Sequence, residues 1–434
     1  MRGIRGAIGL GSAALLLVSA RPLQAQDPPP VPTVTLDEAI QMALRVNPQM
    51  VRARGQVATA AAGKRTAVGN WLPSLSTSSG YSTQPGRETI DPNTGLSYTP
   101  TTSSYSAGLS ASMTLFSGFS RIAQNRSAGA DYRSAEASEI AQEFNVILQT
   151  KQAFFNAVAA NELVRVAERS IQRADEQLRM SKDKLAAGSA IRSDTLRGRV
   201  EVGNAQLQLL NAETQRETAE ATLAQLIGID GPIRAVADSS LFVPVDVDTT
   251  ALRIEAVAQS PTVIQADAAA DAARASVSVA TAQYFPRLTA SYSRSWSGQE
   301  LSSLNDSWSA RLGLSWTIFN GFSRESNVTS AKVGRENALA DAEDARRQVN
   351  AQLTQYLASL NSARLSLDIA IANLAAADEE LRVQQERYRL GMSTIVDVLV
   401  SQISLEQAEV DIVRARLDYL VAKAQIESLI GREL

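Results

Sequence analysis

The chain has 434 residues, 44% of them apolar and 20% charged, which is enough for a packed core and rules out wholesale disorder. Forty-two Lys and Arg face 45 Asp and Glu, so no basic surplus exists to hold a phosphate backbone, and nucleic acid is excluded as a general partner. His and Cys are both absent, which removes Ser-His-Asp and Cys-His catalysis, thiol redox chemistry and the usual zinc sites. No catalytic, cofactor-binding or metal-ligating residues are assigned.

Residues 1–25 read as a secretory signal. Arg2 and Arg5 precede a 14-residue apolar run from Ala7 to Ala20, followed by Leu23-Gln24-Ala25. A membrane-spanning helix needs about 18 apolar residues, more than this run supplies. Cleavage after Ala25 removes Arg2, Arg5 and Arg21 and no acid, taking the net charge from −3 to −6. Without cysteine a lipidated N-terminus is excluded, and no later segment has the composition of a transmembrane helix. Such a chain is either soluble outside the cytoplasm or part of a membrane β-barrel. Residues 26–35, rich in proline, read as an extended tail.

The rest of the chain contains itself twice, residues 36–228 and 251–434, around a linker at 229–250. With a shift of 213, Asn47-Pro48 falls on Ser260-Pro261 and Trp71-Leu72-Pro73 on Tyr284-Phe285-Pro286. With a shift of 203, Leu115-Phe116-Ser117-Gly118-Phe119-Ser120-Arg121 falls on Ile318-Phe319-Asn320-Gly321-Phe322-Ser323-Arg324. The ten-residue difference lies in a Pro/Gly/Thr/Ser-rich stretch at 82–104, read as a loop that is shortened to 295–307 in the second copy.

Each copy opens with alanine-rich helix, and Pro48 divides the first stretch in two. The period then changes to two. Tyr105, Ala107, Leu109, Ala111, Met113 and Leu115 alternate with small polar residues. So do Trp308, Ala310, Leu312, Leu314, Trp316 and Ile318. The expected hairpins span about 74–116 and 287–319, with four strands of roughly ten residues, the length of a tilted transmembrane strand. Arg294 breaks the pattern by falling on an apolar face. A soluble half-buried sheet shows the same alternation. The signal sequence and the placement of all four tryptophans, Trp71, Trp296, Trp308 and Trp316, beside these strands favour the membrane and an aromatic girdle at its interface. Four strands cannot close a membrane barrel, for which about eight are the minimum. Other copies of the chain must pair the edges, and composition does not choose between two copies and three.

From 120 to 187 and from 323 to 390 there is no proline and little glycine. Each run would make a helix about 100 Å long, and shorter helices return at 193–227 and 394–430. The last carries a seven-residue row, Val398, Leu405, Ile412, Tyr419 and Ile426, beside a row of mostly small residues, Ser401, Ala408, Ala415, Ala422 and Leu429. Gly198, Ala205, Ala212, Ala219 and Leu226 repeat the second row in copy one. Such seams suit coiled coils. An ordinary four-helix bundle shares the periodicity. The fold class is therefore mainly α with membrane β: a long coiled-coil helical barrel, with four strands per chain in a shared outer-membrane β-barrel.

At this point the chain resembles the TolC family of outer-membrane efflux factors. The resemblance rests on the duplicated helix–hairpin–helix order, the Leu-Phe-x-Gly-Phe-Ser-Arg exit from the hairpin, and the Tyr388-Arg-Leu-Gly391-x5-Asp397-Val398-Leu399 turn. It implies a homotrimer set in outer-membrane lipid and projecting into the periplasm. It also implies a periplasmic adaptor and an inner-membrane pump as partners, and a passive exit duct for efflux or type I secretion. By the same resemblance, Gly188-Ser189 and Gly391-Met392 are adaptor-contact tips, and Asp194, Tyr388 and Asp397 belong to a periplasmic gate. Two gate positions depart from the family. Ser393 stands where better-known members have arginine, and Val400 where they have a second aspartate, which puts a salt-bridged lock in question. Asp397 also fits a capping box, since Thr394-x-x-Asp397 opens a helix. The competing readings are a periplasmic coiled-coil adaptor or scaffold without a pore, and a carboxylate-based secreted enzyme. The first would need the helices but not the hairpins. The second is disfavoured because the acids lie along mixed-charge helix faces.

Overall fold

A computed structural model describes residues 31–93, 95–237 and 249–434. The expected signal lies outside the described residues, as do parts of the tail and linker. Helix α1 (Leu36–Val46) starts in a capping box between Thr35 and Glu38 and stops at Asn47. Pro48 then takes the first position of α2 (Pro48–Gly69), where its missing N–H costs nothing. Copy two repeats the break, with α5 (Thr249–Gln259) ending before Pro261 opens α6 (Pro261–Thr281). The long helices α3 (Ser120–Ala186) and α7 (Ser323–Arg389) have 67 residues each, about 100 Å at the rise of an α-helix. The return helices α4 (Arg192–Ile227) and α8 (Ile395–Ile430) have 36 each.

Tail and linker meet. Thr33–Val34 (β1) pairs in parallel with Arg234–Ala235 (β6). Four long strands form one antiparallel sheet: β2 (Ser74–Pro85), β5 (Thr101–Phe116), β7 (Arg287–Gly298) and β8 (Asn305–Ser315), in the order β2-β5-β7-β8. The two hairpins are thus adjacent through β5 and β7, and β2 and β8 are left as edges. The stretch read as loop is partly strand, because pairing continues from Ser82–Ser104 out to Pro85–Thr101. Beyond it lies a further short hairpin, β3 (Thr89–Ile90) with β4 (Ser97–Tyr98). Strand β5 has 16 residues rather than ten, because serine and threonine extend the alternation that the apolar residues begin.

The register separates two faces. On one, Ser76, Ser110, Ser293 and Ser309 lie side by side across all four strands, followed by Ser74, Ser112, Ser291 and Arg311 in a neighbouring row. Hydroxyls bond across the strands at 2.6 Å for Ser76–Ser110 and 2.9 Å for both Ser293–Ser309 and Ser295–Ser307. The opposite face carries Leu75, Ala111, Tyr292 and Ala310 in one row, with Leu312, Leu314 and Trp308 exposed along β8. Arg294 lies on this apolar face without being unpaired. Asp306 receives its guanidinium at 3.0 and 2.7 Å, and its charge sits 5.2 Å from the Trp296 ring. At an apolar face, that pairing is what permits a cation.

Beyond the sheet the helices pack as a row, α4 against α3, α3 against α8 and α8 against α7, with α6 laid between α3 and α7 near the sheet. The main core joins Phe154, Phe155, Leu223, Val349, Leu353 and Ile426. A second cluster around Val166, Ile412 and Val413 and a third around Leu381, Tyr388, Val398 and Leu405 follow toward the helix tips. Every residue of both rows in α8 is buried, from Val398 to Ile426 and from Ser401 to Leu429. In α4 only Gly198 and Ala205 of the corresponding row are buried. The difference follows from position, since α8 has a long helix on each side whereas α4 ends the row.

Candidate functional site: strand corners and helix tips

The two ends of the long helices position the residues of interest. At the sheet end each strand turns into its helix through a left-handed phenylalanine, Phe119 (φ 66°) and Phe322 (φ 63°), an uncommon conformation for a bulky side chain. Arginine braces each corner. Arg121 donates to the carbonyl of Leu115 at 2.9 Å and lies 4.6 Å from the Trp71 ring. Arg324 donates to the carbonyl of Thr317 at 3.0 Å and lies 4.2 Å from the Tyr284 ring. This is the physical content of the Phe-Ser-Arg exit: a nearly buried guanidinium ties strand end, helix start and the preceding helix together. Sequence reasoning found the motif and missed this bracing role, although the repetition of arginine and facing aromatic in both copies was a visible signal.

Trp71 and Trp316 stand at this corner level, and the Trp316 indole donates to the Tyr284 carbonyl at 3.1 Å. Trp296 and Trp308 lie toward the far end of β7 and β8, opposite Asp306 and Arg294 respectively. The four tryptophans therefore occupy two levels, separated by the length of the apolar face.

At the other end, Gly188 (φ 72°) and Gly391 (φ 79°) close α3 and α7 in the left-handed conformation that disfavours any Cβ. Ser189 N–H then donates to the Lys184 carbonyl at 2.8 Å, and Met392 N–H to the Arg387 carbonyl at 2.7 Å, the six-to-one bond of a Schellman turn. Apolar side chains stand exposed around both turns: Ile191, Leu390 and Met392 are each more than 60% accessible.

Asp397 completes a capping box. Its carboxylate accepts from Thr394 N–H and from the Thr394 hydroxyl, both at 2.8 Å, while Asp397 N–H donates back to that hydroxyl at 3.3 Å. These bonds, the backbone one first, hold its carboxyl below the usual carboxylate range. Its side chain remains at the surface, so the charge is still available to a partner. Asp194 sits half-buried in the first turn of α4, its N–H bonded to the Ile191 carbonyl at 3.1 Å. Val400 is 55% exposed one turn beyond Asp397, and the Ser393 hydroxyl is bonded to the Gln384 carbonyl at 3.3 Å. Tyr388 is buried inside the chain, with its hydroxyl unpartnered. Lys184 lies 4.1 Å from the Tyr388 ring and donates to the Tyr388 carbonyl, joining the two helical hairpins within one chain. Lys184 was not singled out from sequence, although a cation in the last turn of a helix is a readable feature.

No helix among the described residues is long and apolar enough to cross a membrane. A sheet with one apolar and one serine face, carried on helices of about 100 Å, defines the chain as a building block of a membrane-anchored helical duct. The family model for outer membrane efflux proteins matches residues 39–229 and 252–432, and the chain belongs to that family. The pyoverdine export outer membrane protein OpmQ of Pseudomonas aeruginosa is 28% identical over 408 residues, covering 91% of this chain and 85% of the relative. Protein CyaE of Bordetella pertussis is 26% identical, covering 98% and 89%. Among solved structures, a crystal structure of CusC superposes with a TM-score of 0.77 at 20% identity, covering 92% of each chain. The open state of the MtrE outer membrane channel of Neisseria gonorrhoeae gives 0.75 at 22% identity, covering 92% and 89%. The chain is a non-enzymatic protein of an outer-membrane exit channel for efflux or secretion, and it projects into the periplasm.

Proposed function

We propose that three copies close into a twelve-stranded barrel over a helical tunnel, whose tips form the periplasmic gate and dock a periplasmic adaptor that links the duct to an inner-membrane pump. The observation that carries the assembly is the pair of open edges. Strands β2 and β8 bound the sheet, and α4 and α7 bound the helix row. Along α4, Leu196, Val200, Leu207 and Leu210 are all more than half exposed at heptad spacing, a seam that its own chain covers only in part, where Leu207 shares a groove with Ile403 and Val410 of α8. A neighbouring copy that joins β8 to β2 brings its α7 to this seam. Three copies give twelve strands, within the range of closed membrane barrels, whereas a single copy falls below the minimum of about eight.

In this reading the exposed Ile191, Leu390 and Met392 around Gly188-Ser189 and Gly391-Met392 are the adaptor contacts. Asp397 and Asp194 contribute acidic rings at the mouth, with Val400 as an apolar ring beside them. Like charges brought together by symmetry attract cations. Ser393 and the buried Tyr388 act from behind the lining, and Lys184 fastens one hairpin to the other. The four tryptophans mark the two membrane interfaces. Native mass measurement of the detergent-extracted protein tests the stoichiometry, and single-channel recording with divalent cations added to one side tests the mouth. A trimer with conductance steps blocked from the tip side is the expected result. A folded monomer that fails to insert into a bilayer would instead support the poreless scaffold.

A further inference from the structure

The four strands carry only four charged side chains: Arg287, Arg294, Asp306 and Arg311. Arg294 and Asp306 neutralise each other on the apolar face. Arg287 and Arg311 fall on the serine face, Arg287 opposite Ser315 and Arg311 opposite Ser291. The only acid in the strands is on the other face, so this wall carries two uncompensated positive charges per chain, both from the second copy. Arg311 and Ser315 are four positions apart on β8, which sets the two cations about 13 Å apart along the strand. Both side chains are exposed, and every other position on this face is Ser, Thr, Gly, Gln or Asn.

We infer that Arg287 and Arg311 form a cationic belt on the inner wall of the barrel that favours solutes bearing carboxylate, phosphate or sulfate groups as they leave. The inference rests on the assembly proposed above: with the apolar face turned to lipid the serine face lines the lumen, and threefold symmetry turns two arginines into a belt of six. A ring of fixed charge in a narrow aqueous path raises the local concentration of the opposite ion. The mouth at the helix tips carries aspartate, so the proposed duct is acidic where solutes enter and basic where the helical tunnel opens into the barrel.

The native chain lacks cysteine, so a single introduced thiol reports on one place. Ser309→Cys is on the serine face two residues from Arg311, about 7 Å away and within the screening length of physiological salt. Leu312→Cys is on the opposite face. In the lipid-reconstituted full-length protein, Ser309→Cys should react with water-soluble methanethiosulfonates and Leu312→Cys should be protected. In the Ser309→Cys protein, the ratio of anionic to cationic reagent rates should fall about fivefold when Arg287 and Arg311 are both changed to Ser. In planar bilayers the same double substitution should lower the chloride-to-potassium permeability ratio. Labelling at 312 rather than 309, or a rate ratio indifferent to the arginines, would overturn the belt. Inserted oligomers that label as expected but never conduct would count against the exit duct and leave the belt in place.

Discussion

Asp397 can serve as a cap, as a member of a charged ring, or as both, and the two roles separate by substitution. Asparagine keeps the acceptor and removes the charge. Asp397→Asn should therefore leave amide exchange in the first turn of α8 nearly unchanged while abolishing block by divalent cations. Thr394→Val breaks the box and should speed that exchange about fivefold, read by hydrogen exchange. The sign with pH follows from the lowered pKa. Because the folded carboxyl titrates below its unfolded value, the cap is in full force above the unfolded value and fades as pH falls through the folded one. Protection of the tip amides, relative to their intrinsic exchange rate, should then fall only in acid below the ordinary carboxylate range. At the sheet end, Arg324→Ala leaves the Thr317 carbonyl without its donor and the Tyr284 ring without its cation. A loss of about 2–3 kcal/mol is expected from denaturant unfolding in detergent.

At the scale of helices, α3 and α8 are joined by ion pairs as well as by apolar packing. Lys151 and Glu427 meet at 2.7 Å with both side chains about nine-tenths buried. Breaking the pair leaves Glu427 with Lys423, 3.8 Å away, as its one remaining cation among the described residues, so Lys151→Met should cost about 2–4 kcal/mol, and most of that should return in the double variant with Glu427→Leu. Nearer the tips Glu409 binds Arg173 at 2.7 Å and Arg169 at 3.2 Å, and the Ser170 hydroxyl donates to Glu406 at 3.2 Å. Burial raises the Glu406 pKa, partly offset by Ser170 and Arg173. A raised carboxyl penalises the fold above its own titration point, and the penalty vanishes as pH falls toward the unfolded value. Glu406→Gln should therefore gain stability over the native chain near neutrality and lose that advantage in the acid window, measured by paired melts.

These helices were legible in the sequence down to a residue or two, because proline, glycine and a heptad row punctuate them. The strands were legible by alternation, but their full length was hidden where serine and threonine replaced the apolar face. The meaning of Arg294 was hidden as well, since its partner Asp306 becomes a neighbour only once the register of β7 and β8 is set. The residues proposed for the gate could be singled out as positions, but their contacts could not. Nothing in the spacing says that Tyr388 turns inward or that Lys184 covers it.

For the whole molecule, the open edges leave closure to contacts between chains. Leu207, 62% exposed on α4, should be dispensable to the isolated chain and needed between chains. Leu207→Glu is expected to keep the helical circular-dichroism signal while shifting the species seen by sedimentation from oligomer to monomer. The two copies also differ where they face outward. The hairpin of copy one carries an extra two-stranded tip at 89–98, whereas copy two turns back after Gly298. An assembly of three would thus present a rim with three tall and three short crests.

The serine wall has one more implication, for adhesion rather than for charge. Its hydroxyls are bonded to one another across neighbouring strands, Ser76 to Ser110, Ser293 to Ser309 and Ser295 to Ser307. Each pair uses one of its two O–H donors internally, and the face lacks large apolar groups, so away from Arg287 and Arg311 it offers an uncharged molecule only weak, water-like contacts. In the proposed barrel such a lining would act as a release surface for uncharged solutes, with the arginines alone holding back anions.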